Sequence, residues 1–247
     1  MKSLTNIIYE RLKLTKNSKL YEYIPKDEDE LRKNIVAEVY KQGKGTHQRP
    51  VDLNMIDISE IVNSPTKSNF YDLFCTLPVT INYLDISNWN VGIYTGLTSM
   101  FKGCKELIEV DCTNWKFHDI INLAELFAGC TNLKQVIGIE NWRVGHVENF
   151  NGMFRNCPSL EKLDLSKWDM RNARYMIRMF KDCTNLKTLG SIENWKFTDV
   201  INCNEMFRNC TSLDPGDLDK WKLGRPSAFL TFDNMKSDVK IPSWTNK

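Results

Sequence analysis

The sequence predicts an α/β fold, a solenoid of about six strand–turn–short-helix units with a helical cap at its N-terminal end. Three observations carry this. Trp89, Trp115, Trp142, Trp168, Trp195 and Trp221 recur at alternating intervals of 26 and 27 residues. Phe101, Phe127, Phe154, Phe180 and Phe207 each follow a tryptophan by twelve residues, and Cys104, Cys130, Cys157, Cys183 and Cys210 follow three later. Leu107, Leu133, Leu160, Leu186 and Leu213 complete the set, three residues beyond the cysteines. Columns in register at this period mark units that bury their apolar side only against their neighbours.

Residues 1–50 lack the repeat and read as a helical cap or docking segment. Leu4, Ile7, Ile8, Leu12 and Leu14 form an apolar face at helical spacing behind Ser3. A second helix opens after Pro25. Asp27, Glu28, Asp29 and Glu30 crowd its first turn, where the helix dipole favours acids. Leu31, Ile35, Val36 and Val39 form its stripe and Gly43 ends it. Residues 51–247 form the repeat array: a degenerate first repeat over 51–80, regular repeats over 81–222 and a C-terminal cap over 223–247. In the degenerate copy Ile61 takes the tryptophan place, and Phe74 follows it by thirteen.

Within a regular unit, Leu163-Asp164-Leu165-Ser166 alternates apolar and polar residues, which predicts a short half-buried strand. A turn follows the tryptophan, with Gly92, Gly145 or Gly224 in several copies. Apolar residues eight, eleven and twelve places after it, such as Phe150, Met153 and Phe154, predict a short helical or 3₁₀ segment. The longer returns, ending at Trp142 and Trp195, carry one extra residue, which a bulge would absorb. At the end of the array Asp233 stands where a phenylalanine is due, and Val239–Trp244 predicts a last edge strand.

The run Leu163-Asp164-Leu165-Ser166-Lys167-Trp168-Asp169, the pair Met179-Phe180 and the following Cys183-Thr184-Asn185-Leu186 resemble the BspA-like leucine-rich repeat. That repeat occurs in mycoplasma lipoproteins, in gut-bacterial surface proteins and in phage genomes. The match spans about residues 52–222. The resemblance implies a leucine-rich-repeat-like solenoid for attachment to macromolecules, with no enzyme activity; the leader of residues 1–50 resembles that of phage-encoded copies.

Net charge is +2, so no strong field points to nucleic acid or an anionic membrane. The longest apolar runs are too short to span a bilayer. With no apolar run at the N-terminus the chain reads as cytoplasmic, association with a virion or cell surface remaining open. That compartment predicts reduced cysteines. No catalytic constellation stands out, and no cofactor or metal is implied: the column cysteines are too far apart in sequence for a zinc motif. His118 and His146 fall in exposed turns, and no paired carboxylates suggest a glycosidase.

The exposed columns are therefore the candidate sites. An acidic strand face comprises Asp85, Asp111, Glu140, Asp164, Glu193 and Asp217, a surface for a protein partner. Replacing Asp164 by alanine there should cost within about 0.5 kcal/mol. A basic stripe of Lys102, Arg155, Lys181 and Arg208 is the alternative, a phosphate-tracking row for nucleic acid. The near-neutral total charge makes it the weaker of the two.

Overall fold

The computed structural model describes residues 21–62, 70–91, 96–224 and 226–245. The apolar face of Leu4 to Leu14 and the turn at Gly92 lie outside them. The fold is α/β, with few helices and a parallel four-stranded sheet. Helix α1 (Glu28–Gln42) is followed by β1 (Val51–Asp52), the short α2 (Ser59–Val62), β2 (Tyr83–Asp85), β3 (Glu109–Asp111) and β4 (Gln135–Ile137).

α1 is set by its ends. Asp27 caps it, its carboxylate accepting from the Glu30 amide at 2.8 Å, and Gly43 closes it at φ 76° with its N–H on the Val39 carbonyl. Leu31, Ile35 and Val39 are buried. Arg32 donates to the Leu73 carbonyl at 2.8 Å, fixing the helix to the segment around Leu73. Buried Glu38 accepts from Tyr23, Lys41 and Gln42, so the segment before the helix is held too.

The sheet runs β1-β2-β3-β4 in chain order, with Leu84 paired to Val51 and Val110, and Val110 to Val136. Those central apolar residues are buried, as two- and three-residue strands with one inward position require. The strand expected over residues 163–166 is not formed: past β4 the pairing thins to an isolated parallel bridge between Lys162 and Thr188. A second line of parallel bridges joins Asn122, Asn149, Tyr175, Asn202 and Ser227.

The core is built from the sequence columns. Seven phenylalanines stack face to face or tilted: Phe74, Phe101, Phe127, Phe154, Phe180, Phe207 and Phe232, with neighbouring centroids 4.8–5.8 Å apart. Tryptophans stack in two runs, Trp115–Trp142–Trp168 and Trp195–Trp221–Trp244. Each indole N–H donates to a carbonyl of the preceding segment: Trp168 to Ile139, Trp195 to Leu165, Trp221 to Ile192. Four of the five column thiols behave alike, Cys130, Cys157, Cys183 and Cys210 each donating to a phenylalanine carbonyl 29 or 30 residues back, while Cys104 is half-buried. Burial pushes the Cys183 thiol up to about 12 and that of Cys157 well above its ordinary value, so these groups stay protonated donors.

Three further local expectations fail, each for a physical reason. The segment around each phenylalanine is a double turn, not a helical or 3₁₀ stretch. Residues two before and two after it are left-handed, as at Glu125 (φ 55°) and Gly129 (φ 74°). Their N–H groups, with that of the phenylalanine, point to the next segment: Glu125 to Asn151, Phe127 to Met153 and Gly129 to Arg155 carbonyls. Bonds spent sideways cannot close a helix. Second, the extra residue of the longer returns makes no bulge. Gly138 (φ 85°) and Gly190 (φ 74°) adopt left-handed backbone, and a 3₁₀ turn follows at Ile139–Asn141 and Ile192–Asn194. Third, the expected last strand is a 3₁₀ turn at Ser243–Thr245, which seats Trp244 on Trp221 at 6.0 Å. Phe232 fills the place where Asp233 suggested a break.

Candidate functional site

The six acidic candidates do not form one continuous column. Asp85 and Asp111 are partners across β2 and β3, but Asp111 pairs with Ile137. The longer return slips the register, so Glu140 stands in the following 3₁₀ turn, where its carboxylate accepts from Asn141. Glu193 does the same with Asn194. The aspartates are turned back on their own chain. Asp85 accepts from the Ser87 amide, Asp111 from the Thr113 amide, Asp164 from the Ser166 amide and hydroxyl, and Asp217 from the Asp219 amide. Each closes the turn that ends a strand or its equivalent.

Asp164 is exposed yet does structural work, which revises the expected cost of removing it. The Ser166 hydroxyl and amide hold its carboxyl below the usual carboxylate range. Asp164→Ala should therefore cost about 1 kcal/mol, as for a lost hydrogen bond, rather than less than half of that. A depressed folded value means the stabilisation is full above the ordinary carboxylate range and is lost as pH falls through the folded value. Urea midpoints of the variant and the wild type should converge in acid.

The basic stripe is brought together, and every residue of it is paired with a carboxylate. Glu125 takes Lys102 at 2.6 Å and Arg155 at 3.0 Å. Glu205 takes Lys181 at 2.6 Å, Arg178 at 2.7 Å and Arg208 at 3.1 Å, and Arg208 also meets Asp233 at 2.9 Å. The hydrogen bonds from Lys181 and then Arg178 hold the Glu205 carboxyl down to about 2. At Glu125 burial pushes the carboxyl up, and the Lys102 bond with its charge more than offsets that. Both acids occupy left-handed positions two before a phenylalanine, where other units carry Ser99, Gly152 and Arg178. Reading each charged column by itself missed them.

Glu205→Gln should destabilise the fold by about 2 kcal/mol at neutral pH, since three cations lose their shared acceptor while keeping part of their hydration. With the folded value depressed to about 2, that contribution is present above the ordinary carboxylate range and fades as pH falls toward about 2. Thermal melts of both proteins from pH 7 to pH 2 check this: the gap in Tm should close in acid, and a gap independent of pH would refute the ion-pair account.

Uncompensated positive charge lies elsewhere, beside the tryptophans. Lys116, Arg143, Lys167, Lys196, Lys220 and Lys222 each adjoin a tryptophan, are exposed, and have no carboxylate within ion-pair distance. A groove of about 1270 Å³ runs beside three of them, Lys116, Arg143 and Lys167, with His118, Glu140 and His146 also in its wall. The rings of Trp115 and Trp142 reach it but stay 3% and 2% exposed. The strand face is partly covered at its start. His47 meets Glu109 at 3.0 Å and lies edge-on to Tyr83.

Among the described residues no group of three His, Cys, Asp or Glu side chains stands together as a metal site. No helix among them is long and apolar enough to cross a membrane. No curated protein matches the chain, and no solved structure matches it. The family model described as "Mycoplasma protein of unknown function, DUF285" matches residues 69–138 and 135–243, and the chain belongs to that family.

Proposed function

We propose that the chain is a non-enzymatic, protein-binding solenoid of the BspA-like leucine-rich-repeat type, bacterial or phage-encoded. It would comprise about six repeat units, with the helical segment within residues 1–50 as cap. One observation carries the reading: the repeated reactive and aromatic side chains are consumed by the core, while uncompensated charge is left in rows on the outside. The tryptophans, the column phenylalanines and the thiols of Cys130, Cys157, Cys183 and Cys210 are buried and hydrogen-bonded or stacked. A thin array that spends its chemistry on stacking keeps its outward columns for recognition. The parallel register and the side-to-side hydrogen bonds support the solenoid, and the contact from Arg32 to Leu73 supports the cap.

The alternative, nucleic-acid binding through Lys102, Arg155, Lys181 and Arg208, is disfavoured by the pairing of all four with Glu125 or Glu205. Capture with the immobilised full chain from its native host tests the main reading. The expected result is a discrete protein that survives nuclease treatment of the lysate. A reproducible turnover activity abolished by one substitution would overturn it.

A further inference from the structure

The Phe edge and the Trp edge use the same kinds of cation to opposite ends. On the Phe edge every residue of the stripe has a carboxylate partner. On the Trp edge six cations stand without one. Arg171, nearby, is neutralised by Asp169 at 2.7 Å. Asp217 and Asp219, beside Lys220, share Lys240 at 3.1 Å and 2.7 Å. Asp119, Glu140 and Glu193 form no ion pair, and these acids together are too few to balance the row. Holding like charges in a row costs free energy that a partner of opposite sign would relieve.

We infer that this edge, Lys116, Arg143, Lys167, Lys196, Lys220 and Lys222, is the docking surface for an extended acidic polypeptide segment; this rests on the protein-binding reading above. Spacing supports it. The stacked tryptophans beside the cations repeat at 5.5 Å and 6.2 Å in one run and at 5.7 Å in the next. An extended chain shows a side chain on one face about every 6.6 Å, so alternate acidic residues can follow the row. The groove of about 1270 Å³ gives the partner's backbone a bed beside Lys116, Arg143 and Lys167.

The same surface suits nucleic acid poorly. Single strands bind by stacking bases on exposed aromatic rings, and Trp115 and Trp142 are buried. Glu140 and Glu193, in 3₁₀ turns next to Trp142 and Trp195, can accept from peptide N–H groups, which a phosphate backbone does not offer.

Fluorescence anisotropy with a labelled decaglutamate peptide tests the inference, the full chain being titrated at low salt. The triple variant Lys116→Glu, Arg143→Glu, Lys196→Glu should bind at least about tenfold more weakly. A control with the same net charge, Lys33→Glu, Lys105→Glu, Lys236→Glu, should stay within about twofold, because its exposed changes lie off the edge. Glutamine at the three edge positions provides a neutral variant, expected between wild type and the glutamate triple. No binding by wild type, equal loss in both triples, or tighter binding of an oligothymidylate of equal charge would overturn the inference. A host protein captured equally by wild type and the edge triple would remove this edge while leaving the protein-binding reading intact. Absence of both captured protein and peptide binding would end the two together.

Discussion

Phe154→Ala is expected to destabilise the fold by about 3–5 kcal/mol, read as a lower urea midpoint. Its ring is fully buried, and it lies between Phe127 at 5.4 Å and Phe180 at 5.8 Å, inclined by 13° and 3°. Truncation removes contact from both neighbours at once, and a stack pinned by sideways backbone bonds cannot close the gap. The Phe154 amide donates to Met179, and its carbonyl accepts from the Cys183 thiol at 3.0 Å. Those bonds keep the backbone in place around a void, which is the costly outcome. Phe232→Ala, at the end of the ladder and 9% exposed, should cost less, because Phe207 and Trp244 pack on it at 5.6 Å and 5.9 Å with tilted rings. A change in the slope as well as the midpoint would mean that the structure opens in parts. If Phe154→Ala proves as mild as Asp164→Ala, the phenylalanine column is not the core.

What the sequence made legible was whatever burial makes periodic. Trp142 packs beside Trp115 and Trp168 as its spacing requires, and Asp27 and Gly43 end α1 as their chemistry suggests. The turn around each phenylalanine was not legible, because its left-handed position is held by Asp72, Ser99, Glu125, Gly152, Arg178, Glu205 and Leu230 in turn. One glycine in seven gives no signal; neighbouring segments impose the conformation through hydrogen bonds. Glu125 and Glu205 were hidden for the same reason, as single acids in a column of mixed chemistry. Charge rows could be read from sequence, but their compensation could not. Pairing depends on which residues stand across the stack, as with Lys102 and Glu125, 23 residues apart. Trp244, only 23 residues after Trp221, breaks the period yet keeps the role, donating to the Leu218 carbonyl at 2.9 Å.

Gly138 offers the second large effect, and it separates two reasons for a glycine. Gly138 and Gly103 are both left-handed, at φ 85° and 74°. Around Gly103 a Cβ would meet nothing within 4 Å, so Gly103→Ala should cost only the conformational penalty, about 1–2 kcal/mol. Asn156 and Asn209 already occupy that place in later units. At Gly138 the same Cβ would overlap the Thr113 Cα and lie 2.8 Å from the Thr113 nitrogen. Thr113 cannot retreat, because its amide is held by Asp111 at 2.9 Å and Asp111 closes β3. Steric overlap of about 1–3 kcal/mol then adds to the conformational penalty, so Gly138→Ala should cost about 3 kcal/mol or more. The damage should reach the 3₁₀ turn at Ile139–Asn141 and the Trp142 indole, whose bond to the Cys112 carbonyl is already long at 3.4 Å. Urea midpoints of the two alanine variants decide the matter. Equal losses would mean that backbone conformation alone selects the glycine. A larger loss at Gly138 would mean that the longer return fits only because one residue in it has no side chain.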